Sequence, residues 1–407
     1  MEDRLLKHGS IIFIASVISF FFGYVFHFYM ARALGPDNYG ILGSMLSLFY
    51  IFSVPSSVIT TTLAQVVSEQ KVNMEYGKIK SILLISAKKL VYIGVIIFVI
   101  LVILSPFLKK ILNLPSEIPV IFLGFSLIFI TIVPSPRGVL QGMQEFGSLG
   151  FNMLIEKPLL VLFGIVFIYH GMEVNGAILS YGISTLVIII LAFIPLRFVL
   201  EKKSEPVNLS VYKYASPIFV LFLCITILSS IDVLFVRKYF PADMTGYFTA
   251  MKMLGEVIYF LALAIGVVLL PKVSELNKLK LTHGFLLWKA LIYFVIPLAA
   301  ILSAYALAPE LIITMLFGKD YSSISGYLVW YGLAMGLLSL TIIFMFYDVS
   351  AKKTAFMYPL ILFTILEIFL FMVFHETIGQ IIGVQIGVFL ILLASVMIIR
   401  RRYEGYT

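Results

Sequence analysis

Twelve apolar runs, each close to the length of a membrane-crossing helix, leave this chain one environment to fold in. A helix rises 1.5 Å per residue, so about 20 apolar residues cross roughly 30 Å of hydrocarbon. Runs of that kind fall at 10–31, 38–65, 82–105, 118–141, 148–169, 175–197, 212–236, 244–270, 285–308, 323–347, 355–374 and 378–399, separated by polar residues, Pro and Gly. Of the 407 residues, 61% are hydrophobic and only 12% charged, whereas a soluble domain carries about 25% charged residues. A soluble enzyme, a nucleic-acid-binding module and a disordered chain are excluded. The longest polar connection, 198–211, is too short for a folded extramembrane domain.

The 29 Lys and Arg outnumber the 21 Asp and Glu, a net charge of +8. In a membrane protein such an excess sets orientation. With the N-terminus inside, 21 basic residues flank the inner ends, including Lys78, Lys80, Lys88, Lys89, Lys213, Lys280, Lys352 and the Arg400-Arg401-Arg402 run. Six flank the outer ends: Arg32, Lys109, Lys110, Arg237, Lys238 and Lys319. Both termini are therefore expected in the cytoplasm, and the protein in the cell membrane. Arg4 and Lys7 precede an apolar run longer than a signal-peptide core, with no small-residue cleavage site, so the first helix is expected to be retained. Cys224, the single cysteine, lies in VLFLCITIL and reads as a small buried hydrophobe.

The two halves repeat. YMARALGPDNYGILGSMLSLFYIF in the first and LFVRKYFPADMTGYFTAMKMLGEV in the second align at a constant shift of 206, pairing Asp37 with Asp243 and Gly40 with Gly246. The same shift pairs Val67-Ser68-Glu69 with Val273-Ser274-Glu275 a whole helix later. Six spans per half leave both copies in one orientation, the parallel repeat of some transporters. The expected fold is all-α and polytopic, with about 12 transmembrane helices in two parallel-repeat six-helix lobes around a central cleft. The expected limits are 1–197 for the N-lobe, 198–211 for a cytoplasmic linker and 212–407 for the C-lobe. Rocking of two such lobes gives alternating access.

FYMARALGPDNYGILG resembles the first helix–loop–helix of the Wzx-like oligosaccharide-lipid flippases, members of the multidrug/oligosaccharidyl-lipid/polysaccharide exporter superfamily. PRGVLQGMQEFGSLG, at the inner end of the fourth span, and YDVSAKKTAF, between the tenth and eleventh, are similar to that family's corresponding stretches. The resemblance implies a transporter that flips a polyisoprenyl-(pyro)phosphate-linked glycan from the inner to the outer leaflet. It also implies membrane lipids as partners, and glycan polymerases or glycosyltransferases nearby. No nucleic acid is expected.

Charged residues inside spans cost about 2.5–3.5 kcal/mol each at a helix centre and usually face a cavity or a partner. Asp232, near Ser229 and Ser230 in the seventh span, reads as a coupling-ion carboxylate or as a structural partner; Arg237, five residues on, is not on its face. Glu367 in the eleventh span reads as a second coupling carboxylate or a protonated buried acid. Some superfamily relatives place a cation site between the seventh helix and the last two, which the resemblance extends to Asp232 and Glu367. Lys252 and Glu256 are spaced i, i+4 and so form an intrahelical pair, or else Lys252 attracts the substrate phosphate while Glu256 tunes it. Glu156 and Lys157, adjacent on the fifth span, snorkel to the inner interface or line a vestibule. Arg32, Arg237 and Lys238 end equivalent helices of the two halves and read either as receivers of the lipid phosphate or as headgroup anchors. Arg137, closing the fourth span, meets the phosphate at the inner mouth or anchors that end.

The five histidines have no metal-ligand spacing, and His27 reads as a satisfied interior side chain. No nucleotide motif, Ser/His/Asp set or other catalytic constellation is present, so neither an enzyme nor a cofactor is expected, and the expected coupling ion is Na⁺ or H⁺. A drug or organic-cation antiporter of the same superfamily is the alternative function. It calls for a carboxylate in the first lobe, where only Glu156 lies well inside the membrane.

Overall fold

Gly35 decides how the first 72 residues fold. Its backbone sits at φ 70°, ψ 172°, a region that glycine occupies without a Cβ clash. Pro36 follows, with no N–H to continue a helical ladder. Helix α1 (Glu2–Val72) is thereby divided into arms 2–34 and 36–72, the first two expected spans. A buried contact ties the arms together: His27 Nδ1 and Tyr39 Oη lie 3.1 Å apart.

The computed structural model describes residues 2–207, 216–279, 282, 284–351 and 353–404. Lys213, Lys280, Lys352 and His283 lie outside them, as does the end of the expected linker, and the side chains of Arg4, Lys7, His8 and Arg402 are likewise undescribed. The described chain is helical, with no strand. After α1 come α2 (Tyr76–Ile111), α3 (Ile118–Ile132), α4 (Pro134–Gly142), α5 (Phe146–Tyr169), α6 (Glu173–Phe193) and the single turn α7 (Arg197–Leu200). Then follow α8 (Ser216–Tyr239), α9 (Ala242–Lys278), α10 (Gly284–Leu307), α11 (Pro309–Leu316), α12 (Leu328–Ser350), α13 (Met357–Val373) and α14 (Ile378–Glu404). Ten described stretches are long and apolar enough to cross a membrane. The first of them holds both arms of α1, and α13 is a shorter apolar helix. Each of the twelve expected runs thus coincides with a helix or helix arm. Two boundaries differ from the expectation for local reasons. Pro134 starts a new helix within the fourth run, and KDYSSISGY, poor in helix formers, winds as a 3₁₀ turn over Lys319–Tyr327 before α12 begins.

The chain forms two compact units, Met1–Leu223 and Cys224–Thr407, divided within α8. In the first, α1 packs on α4 and α5, α2 on α3, and α6 on α3 and α5. Val67, Ile79, Leu83, Leu140 and Leu196 close one core there. The chain leaving α7 is strapped to the start of α2. Lys80 Nζ donates to the carbonyls of Leu200 and Lys202 at 2.6 and 2.8 Å, and Ser81 Oγ donates to Glu205 O at 2.5 Å. In the second unit, α12 is the central helix, packed on α9, α10 and α14, while α13 packs on α14.

The shift of 206 also pairs turn and core residues of the two units. Gly35 corresponds to Pro241, whose φ −54°, ψ 157° caps α9, so both hairpins turn at the same place. Met45 and Met251, and likewise Val67 and Val273, occupy matched positions and are fully buried in their own units. Helix α2 exposes Tyr92, Ile96, Ile103 and Phe107, and its counterpart α10 exposes Trp288, Ile292, Tyr293 and Ile296. Continuous apolar faces of this extent suit hydrocarbon rather than water.

Candidate functional site

Polar chemistry collects at one cluster in each unit, half-buried in the first and buried in the second. In the first unit it begins with Arg137, the fourth residue of α4. Its Nε donates to Asn152 Oδ1 at 2.8 Å and its Nη2 to Glu156 Oε2 at 2.7 Å. Asn152 is held in turn, donating from Nδ2 to Ile188 O on α6 at 2.6 Å. The second carboxylate oxygen of Glu156 lies 3.5 Å from Lys157 Nζ. That ammonium also stands over the Tyr181 ring, 5.4 Å from its centroid, a favourable placement for a cation. α4, α5 and α6 are therefore joined by one network of two cations and one carboxylate. Glu156 and Lys157 stand at the middle of the 24-residue α5. Adjacent on α5 and about 100° apart around the helix, the Glu156 and Lys157 side chains nevertheless meet.

The second unit carries the opposite balance. Asp232 on α8 is fully buried. Its Oδ2 accepts from Tyr331 Oη on α12 at 2.8 Å and from Gln385 Nε2 on α14 at 3.1 Å, and its Oδ1 accepts from the Val233 N–H at 2.8 Å. Glu367 on α13 is also fully buried, within electrostatic reach of Asp232, and neither of its oxygens has a hydrogen-bond partner. Gln385 Oε1 is unpartnered as well. On α9, Lys252 Nζ lies 3.6 Å from Glu256 Oε1, the i, i+4 pair anticipated from the spacing, and Glu256 too lies within reach of Asp232. Three acidic groups thus share one ammonium. Oxygens held away from water without donors suit a proton or a small cation. Among the described residues, no three His, Cys, Asp or Glu side chains are grouped as metal ligands.

The helix-end cations are placed differently from one another. Arg32 and Lys238 are exposed and Arg237 is buried. Arg237 Nη1 donates to Ala242 O at 3.5 Å across the hairpin turn. Lys238 covers the Tyr239 ring at 4.6 Å, and that ring stacks on His375 at 3.7 Å. Of the candidate residues, Asp232, Glu367, Glu256 and Lys252 come together in the second unit, and Arg137 stands in the first-unit cluster. Sequence reasoning missed Tyr331, Gln385 and Asn152. A neutral polar residue inside an apolar run is the signal that marks each of them.

Among the described residues, twelve apolar helical segments with charge buried among them mark a multi-pass membrane protein. The chain belongs to the family described as polysaccharide biosynthesis protein, whose model matches residues 5–277. It is 23% identical over 382 residues to an uncharacterized membrane protein of Methanocaldococcus jannaschii, covering 82% of this chain and 90% of that one. Its fold is that of transporters of the MOP superfamily. An inward-facing multidrug resistance MATE family transporter of that superfamily superposes with a TM-score of 0.75 at 14% identity, covering 92% of each chain. The lipid II flippase MurJ superposes with a TM-score of 0.70 at 13% identity, covering 96% of this chain and 87% of the flippase.

Proposed function

We propose that this protein flips a polyisoprenyl-(pyro)phosphate-linked oligosaccharide from the cytoplasmic to the outer leaflet of the cell membrane, by alternating access, with both termini in the cytoplasm. The observation that carries this reading is the pairing of a polysaccharide-biosynthesis family match with a described chain that is almost entirely membrane-length helix. A part in glycan assembly that needs no extramembrane domain is movement of the lipid-borne intermediate across the bilayer. Arg32, Arg237, Lys238, Lys252 and Arg137 supply cations for the phosphate. Asp232, Glu367 and Glu256 supply the coupling site for Na⁺ or H⁺; the unpartnered oxygens of Glu367 beside Asp232 support that assignment. Glycan polymerases or glycosyltransferases act before and after the step.

The acidic balance of the second unit, together with the MATE likeness, supports a second reading, a drug or organic-cation antiporter. Proteoliposomes separate the two. A fluorescent short-chain polyisoprenyl-phosphate glycan, scored with a membrane-impermeant quencher, reports flipping. Efflux of a lipophilic cation from the same vesicles reports antiport.

A further inference from the structure

The first-unit cluster holds one positive charge too many. Arg137 and Lys157 share the single carboxylate of Glu156, at 2.7 and 3.5 Å. The other acids in the described part of that unit, among them Asp37, Glu69, Glu145 and Glu173, stand at helix ends or turns. A surplus charge at the middle of a membrane helix is costly unless something neutralises or solvates it. The cluster is not sealed: the Lys157 side chain keeps 30% of its surface exposed, and Arg137 and Glu156 keep 17% each.

The three side chains are also held to different degrees. Arg137 has Asn152 as a second anchor, through both Oδ1 and the main-chain carbonyl, so its guanidinium keeps its place if Glu156 moves. Asn152 is itself fixed to α6. Lys157 has only a long contact to Glu156 and the face of Tyr181. A guanidinium fork fixed beside a mobile ammonium is the donor set that phosphate oxygens bind: bidentate on one side, a point charge on the other.

We propose that Arg137 and Lys157 form a mid-membrane site for a phosphate-type anion, and that Glu156 is the internal counter-ion the anion displaces. The Glu156 carboxylate, in contact with both cations, occupies the position that phosphate oxygens take. Arrival of the anion transfers both cations to it and releases Glu156 toward the exposed side. The return of Glu156 then competes the anion off, so the site grips the charged head only transiently, midway through the bilayer. The inference rests on the flippase reading for the lipid that carries the phosphate, but not for the site itself.

Calorimetric binding of farnesyl pyrophosphate to the purified full-length protein in detergent, with farnesol as the uncharged control, tests it. The wild type is expected to bind the pyrophosphate more tightly than farnesol. K157M is expected to weaken it about tenfold, equivalent to about 1.4 kcal/mol, with an unfolding temperature equal to or above that of the wild type, because a surplus charge has been removed. K157R retains binding, and E156Q tightens it. Inorganic pyrophosphate that competes with the lipid supports a site for the head group alone; lack of competition with the K157M loss intact supports one reached only by lipid-borne phosphate. Equal binding by wild type and K157M overturns the proposal, and so does a K157M protein whose lost binding tracks a lowered unfolding temperature. The flipping assay stands apart: binding without flipping contradicts the proposed function and keeps the site. Flipping by K157M at the wild-type rate keeps the function and overturns the site.

Discussion

The phenol of Tyr331 donates to the Asp232 carboxylate at 2.8 Å, joining α12 to α8 across 99 residues of sequence. Gln385 donates to the same oxygen from α14, so three helices of the second unit converge on one buried carboxylate. A buried acceptor deprived of a donor costs about 1–3 kcal/mol. Y331F is expected to destabilise the protein by that amount, and to weaken the response of flipping to an imposed Na⁺ or H⁺ gradient. Thermal unfolding in detergent and gradient-driven flipping in vesicles measure the two effects. An unchanged gradient response in Y331F contradicts a coupling role for Asp232.

Glu367 makes the opposite prediction for stability. Its two oxygens are buried without partners, and replacing such a group by an apolar one of similar shape is neutral or stabilising. E367M is expected to unfold at the same or a higher temperature while losing ion-gradient stimulation. A lower unfolding temperature would show Glu367 to be a structural residue.

The strap on the start of α2, within the first unit, leans on Gly77. A Cβ there would come within 2.5 Å of the Glu205 carboxylate and the Lys203 carbonyl, so G77A must push residues 203–205 off the start of α2. Overpacking of this kind costs about 1–3 kcal/mol. Limited proteolysis should cut G77A within 200–207 faster than the wild type. Equal cutting rates would mean that the strap finds another seat.

At Gly35 the demand is conformational. A side chain at φ 70°, ψ 172° costs about 1–3 kcal/mol, and Pro36 prevents the two arms from joining into one straight helix. G35A should lower the unfolding temperature, whereas P36A should change it less. The unfolding temperatures of the two variants in detergent check this order.

Span positions were legible because the hydrocarbon imposes a length on every crossing helix, and that length is written in consecutive residues. The Lys252–Glu256 pair was legible for a similar reason, since i, i+4 spacing on a helix fixes the contact. Arg137 and Glu156 could each be singled out as charges in an apolar run, but not as partners, because their 2.7 Å contact joins different helices. The same holds for Tyr331 and Gln385, which sit 99 and 153 residues from Asp232 and carry no formal charge. The break in the long first helix was visible as Gly35-Pro36 between two apolar runs, whereas the positive φ was not.

Movement of a lipid-linked glycan across the bilayer separates a flippase from an antiporter. The most direct measurement uses purified protein in liposomes carrying a fluorescent short-chain polyisoprenyl-phosphate glycan and follows how much of it a membrane-impermeant quencher reaches with time. The proposed function predicts faster exposure than in protein-free vesicles, slowed by R137Q and K157M. Folded protein that leaves exposure at the rate of empty vesicles, while driving efflux of a lipophilic cation, would contradict it and assign the chain to antiport.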